Sequence, residues 1–117
     1  MRVLVVDDEP GIRDLVALTL QAEGIEVATA EDGEAALAVI ENERFDAIVL
    51  DLEMPILDGR LFFHALRARH RTTPVLILSA YGSKEARSEL GAEDALTKPF
   101  DLDELVSHVQ ALRTPSA

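Results

Sequence analysis

Five short apolar runs, each followed by a segment that switches to helical periodicity, constrain this 117-residue chain more than anything else in it. The first run, Arg2-Val3-Leu4-Val5-Val6, is β-branched and shows no polar alternation, the pattern of a strand covered on both faces. From Pro10 to Gln21 the period changes. Ile12, Leu15, Val16, Leu18 and Leu20 recur at roughly helical spacing, Pro10 suits a first helical turn and Gly24 suits the exit. Further strands are expected at 26–29, 47–50, 75–78 and 95–97, and further helices at 33–42, 59–69, 84–90 and 102–112. Right-handed crossovers between such units leave one economical arrangement, a parallel sheet with helices on both faces. The expected fold is therefore α/β, a flavodoxin-like doubly wound sheet of five strands in the order 2-1-3-4-5, with five helices and a shortened fourth helix.

With 48% apolar residues the chain is long enough to bury a core as one domain, expected over residues 1–113, with 114–117 as a tail or linker stub. It has no cysteine, so disulfides and thiolate metal sites are excluded and a reducing compartment, the cytoplasm, is expected. No apolar stretch approaches the length of a bilayer span, and the N-terminus is expected to enter a strand directly, without a signal segment. The 22 acidic against 11 basic side chains give a net charge of −11, which repels phosphate backbones and anionic lipid surfaces, so neither nucleic acid nor membrane is expected as a direct partner.

The chemistry is expected where strands end. Asp7-Asp8-Glu9 follows the first strand and Asp51 the third. These strands are neighbours at the point where the strand order reverses, the usual ligand crevice of open α/β sheets. Singly, such aspartates are usually turn residues or helix caps. Brought together at about 5 Å, each pair of charges repels by roughly 3 kcal/mol at an effective dielectric near 20. A cation should offset this, and an all-oxygen donor set suits Mg²⁺. Ser79 and Lys98 are expected at the ends of the fourth and fifth strands. A surface lysine and a turn serine are common, but five such residues along one sheet edge are not.

The fragments Val5-Val6-Asp7-Asp8-Glu9-Pro10, Asp51-Leu52-Glu53-Met54-Pro55, Asp58-Gly59, Leu78-Ser79-Ala80 and Thr97-Lys98-Pro99-Phe100 together resemble the receiver domain of the two-component response-regulator family, chemotaxis receivers included. The resemblance implies that Asp51 is the phosphoacceptor, phosphorylated by a histidine kinase, a phosphotransfer protein or a small acyl phosphate. It implies Asp8 and Asp51 as Mg²⁺ ligands, Asp7 acting through water, and Glu53 contributing its backbone carbonyl. Ser79 would be the switch hydroxyl and Lys98 the phosphoryl-pairing lysine, followed by a cis peptide before Pro99. The implied function is a phosphorylation-dependent signalling switch rather than an enzyme, a domain that assists its own phosphorylation and dephosphorylation. Its partner surface would act on an unknown output domain or protein, as a monomer or a phosphorylation-dependent dimer.

Two features depart from the family pattern. The interval from Ser79 to Lys98, 98 − 79 = 19 positions, is nearly one helical turn short, and Ala95 stands where receivers often carry an aromatic ring. The output route is therefore expected to run through residues 80–90, Tyr81 included. Competing readings are a Mg²⁺-dependent aspartyl-phosphate phosphohydrolase, which places its nucleophile after the first strand, a flavin carrier, whose phosphate Asp7-Asp8-Glu9 would repel, and a pseudo-receiver that binds partners without phosphorylation.

Overall fold

The computed structural model describes residues 1–54, 59–69, 72–80 and 82–112; Pro55, Asp58, Tyr81 and the expected tail at 114–117 lie outside the described residues. The elements run β1 (Arg2–Val6), α1 (Pro10–Ala22), β2 (Glu26–Ala30), α2 (Gly33–Asn42), β3 (Ala47–Asp51), α3 (Gly59–Ala68), β4 (Val75–Ser79), α4 (Ser83–Leu90), β5 (Asp94–Thr97) and α5 (Leu102–Ala111). All pairings are parallel, in the order β2-β1-β3-β4-β5.

Because strand side chains alternate between faces, each central strand feeds two cores. Leu4, Val6, Ile48, Leu50 and Ile77 pack with Ile40 of α2 and with Phe62, Phe63 and Leu66 of α3. Val3, Val5, Val49, Leu76 and Leu78 pack with Val16 and Leu20 of α1 and with Leu105 and Val109 of α5. Both faces of the central strands β1, β3 and β4 are dry, which is why these read as apolar runs.

The strands are longer than expected at the chemical end. Asp51 and Ser79 are the last residues of β3 and β4 rather than the first residues after them. Ladder hydrogen bonds extend past the apolar run: Leu52 N donates to Leu78 O at 3.1 Å and Lys98 N to Ser79 O at 2.9 Å. Gly59 begins α3 against this end of β3. A Cβ there would lie 2.6 Å from Leu52 Cα and 2.7 Å from Asp51 O, so glycine lets the helix abut the strand that carries Asp51.

α4, with eight residues, is the shortest of the five helices. It buries only Ser83 and Ala86, starts after Gly82 without a side-chain cap, and stops at Gly91. Gly91 sits at φ 74°, and its N–H donates to Arg87 O at 2.9 Å, a glycine-terminated helix end. No helix among the described residues is long and apolar enough to cross a membrane.

Candidate phosphoacceptor and metal site

The ends of β1 and β3 lie side by side, Val6 paired with Leu50, so the residues that follow them meet. Asp7 is almost wholly buried. Its Oδ1 accepts from Glu9 N at 3.0 Å, and its carbonyl oxygen accepts from Arg13 Nη1 at 3.0 Å, which fixes the turn into α1. Its Oδ2 is buried with no hydrogen-bond partner. Carboxylate oxygens of Asp7, Asp8 and Asp51 lie within 4.8 Å of one another, with Asp8 exposed to solvent. A buried carboxylate oxygen without a donor is costly. An orphaned oxygen among three carboxylates fits a hard divalent cation such as Mg²⁺, which takes oxygen ligands and retains water.

Asp51 is 2% exposed, and its Oδ1 accepts from Glu53 N at 3.0 Å and from Lys98 Nζ at 3.0 Å. Removal from water pushes the Asp51 carboxyl up to about 7; the Lys98 ammonium opposes this, and the charge of Asp7 reinforces it. Desolvation alone would lower Lys98, but the hydrogen bond and charge of Asp51, aided by Asp7 and Glu53, outweigh it and hold the amine above its ordinary range. The ammonium is thus committed to the site. The Lys98–Pro99 peptide is cis, as the family resemblance implied.

Ser79, also 2% exposed, turns its hydroxyl to Glu53. Its Oγ donates to Glu53 Oε1 at 3.0 Å, and the same oxygen accepts from Ala80 N at 2.8 Å. Partial burial would raise the Glu53 carboxyl, but the Ala80 amide, with contributions from Asp51 and Ser79, holds it below the usual carboxylate range. Sequence reasoning gave Glu53 only a carbonyl role and missed its side chain. The available signal was its position two residues past a strand-end aspartate, where an Asx-type turn holds the Glu53 backbone beside Asp51. Near by, Ser83 Oγ and Thr97 Oγ1 share a 2.5 Å hydrogen bond that ties the start of α4 to β5. Ala95 packs, partly buried, against the core on the α2–α3 side.

Beside Lys98 a groove of about 430 Å³ runs between α1 and the segment before α5, with Ile12, Leu15, Val16, Pro99, Phe100 and Leu102 in its walls.

The family model of the response regulator receiver domain matches residues 3–110. The transcriptional regulatory protein PrrA of Mycobacterium tuberculosis is 49% identical over 114 residues, which is 95% of this chain and 49% of PrrA. The chain thus spans about half the length of the curated relatives it matches. Among solved structures, the receiver domain of the Francisella response regulator 1452 superposes with a TM-score of 0.89 at 41% identity, covering 95% of this chain and 94% of that one. The response regulator TrrA of Thermotoga maritima, solved in complex with Mg²⁺ and BeF, superposes with a TM-score of 0.86 at 38% identity, covering 95% and 97%.

Proposed function

This chain belongs to the response regulator receiver domain family, and from that membership we propose that Asp51 is its phosphoacceptor and that phosphorylation resets the surface it offers to an output partner. The observation that carries the reading is the pairing of buried Asp51 with Lys98 at 3.0 Å, beside the partnerless Oδ2 of Asp7. An Asp51 carboxylate oxygen attacks phosphorus and the bond to the donor's nitrogen or acyl oxygen breaks, leaving an aspartyl phosphate. Asp7, Asp8, Asp51 and the Glu53 carbonyl would hold Mg²⁺, which supplies charge neutralisation for the transferred group. Lys98 pairs with that group as a point charge, and Ser79 donates to one of its oxygens. The donor is a histidine kinase or phosphotransfer protein, or a small acyl phosphate. The groove beside Lys98, with half-exposed Leu15 on its rim, gives an apolar footing for the donor.

The output partner lies in the remainder of a longer regulator or in a separate protein, reached as a monomer or a phosphorylation-dependent dimer. With net charge −11 this domain itself is no nucleic-acid binder, and a reducing, cytoplasmic setting suits its lack of cysteine. The test is incubation with acetyl phosphate and Mg²⁺ followed by intact-mass and peptide mass spectrometry. One phosphoryl group is expected, on Asp51 and absent from Asp51→Asn; equal labelling of the variant would overturn the assignment.

A further inference from the structure

The hydrogen bonds of Glu53 assign it more than a place beside the phosphoacceptor. Ser79 Oγ and Ala80 N, at the end of β4, both converge on a single carboxylate oxygen, Glu53 Oε1, at 3.0 and 2.8 Å. A hydroxyl and a backbone N–H aimed at one anionic oxygen form an oxyanion cradle, and a phosphoryl oxygen presents the same charge and acceptor geometry as a carboxylate oxygen. Glu53 reaches the cradle from the same turn that holds Asp51, since its own N–H donates to Asp51 Oδ1 at 3.0 Å. Lys98, by contrast, is already turned to Asp51. The cradle and the nucleophile are therefore bridged, before any modification, by Glu53, a residue exposed to solvent.

We propose that Glu53 is an internal latch: its side-chain carboxylate occupies the phosphoryl-oxygen cradle of Ser79 and Ala80, and phosphorylation of Asp51 proceeds by exchange of one oxyanion for the other. The inference rests on Asp51 being the phosphoacceptor. It has two consequences. The latch raises the threshold for adduct formation, because two charge-assisted hydrogen bonds must be given up before the incoming oxygens are received. It also holds the end of β4 ordered in the unmodified protein, so that the Ala80 amide has an anionic acceptor in both states and what changes is which element that acceptor belongs to.

The experiment uses beryllofluoride as the phosphoryl stand-in, at saturating Mg²⁺, with wild type, Glu53→Ala, Asp51→Asn and Ser79→Ala, together with amide hydrogen exchange at Ala80. Glu53→Ala is expected to bind beryllofluoride about tenfold more tightly than wild type, a change of about 1.4 kcal/mol. Without Mg²⁺ or beryllofluoride its Ala80 amide is expected to lose protection, and to regain it when the adduct forms; in wild type that amide is protected throughout. In a Ser79→Ala background, where half of the latch is already gone, Glu53→Ala is expected to have a smaller effect on affinity. Equal beryllofluoride affinity in wild type and Glu53→Ala, with both dependent on Asp51, would overturn the latch and leave the phosphoacceptor standing. Unchanged Ala80 protection in ligand-free Glu53→Ala would overturn it as well. Beryllofluoride binding that persists in Asp51→Asn would instead overturn the phosphoacceptor reading on which the latch depends.

Discussion

The Asp51 carboxylate is held at a cost that Lys98 does not fully offset. Burial raises its pKa from the ordinary 3.8 to about 7, although Lys98 lies 3.0 Å away. The folded state therefore keeps a proton that the unfolded chain gives up, and stability that this group confers below pH 4 is lost as pH rises toward 7. Asp51→Asn has no such proton to lose. In buffer with chelator, the variant is expected to gain stability over wild type as pH rises from 4, reaching a plateau above 7 of roughly 4 kcal/mol at 1.36 kcal/mol per pKa unit. Urea unfolding at a series of pH values measures it, and a wild-type-to-variant difference that is constant across the series would contradict the burial account.

At the scale of elements, α4 is the least firmly held of the described helices. Only Ser83 and Ala86 are buried along its eight residues, its N-terminus begins at Gly82 with no side-chain cap, and its exposed Glu89 pairs with Arg60 at 3.1 Å. Exposed pairs of that kind contribute about 0–1 kcal/mol. Its firmest tie is to the sheet, through Ser83 and Thr97, and Thr97 pairs in register with Ser79. Because Ala95 offers no ring to bury or release, a shift at Ser79 and Ala80 has this helix as its nearest weakly held neighbour. Beryllofluoride is therefore expected to change amide exchange across residues 82–90 more than in α2 or α5. Changes confined to Asp51 and α1 would contradict that route.

For the whole molecule, the net charge of −11 and the convergence of three carboxylates act on stability through different ranges. Monovalent salt screens the first within about 10 Å at 0.1 M, but it does not partner the buried Oδ2 of Asp7. Mg²⁺ at an ionic strength matched with NaCl is therefore expected to raise the thermal midpoint. At tenfold excess over its dissociation constant, binding to the native state alone is worth about 1.4 kcal/mol, or about 5 °C for a domain of this size. Asp8→Ala is expected to lose most of that increment while folding normally, since Asp8 is exposed and outside both cores. An equal Mg²⁺ response in wild type and Asp8→Ala would remove Asp8 from the ligand set.

The number, type and order of the elements were legible in the sequence because each is written locally. Val3 to Val6 and Ala47 to Leu50 lack alternation, Ile12 to Leu20 has helical period, and right-handed crossovers then give a parallel sheet with helices on both faces, for which 2-1-3-4-5 is a common order of five strands. The juxtaposition of Asp7, Asp8, Asp51 and Lys98 followed from the same reasoning, since strand ends in a parallel sheet share one edge. What the tertiary structure alone decided concerns partners and environment. It carried β3 and β4 one residue further, to Asp51 and Ser79, because ladder hydrogen bonds continue beyond the apolar run. It left Asp7 Oδ2 without a donor, raised the Asp51 pKa, and set the Glu53 carboxylate on Ser79 and Ala80. Hydrophobic periodicity records which face of an element is dry, whereas the partner of a given carboxylate oxygen depends on donors as distant in sequence as Lys98 is from Asp51, whose positions exist only once the sheet has closed.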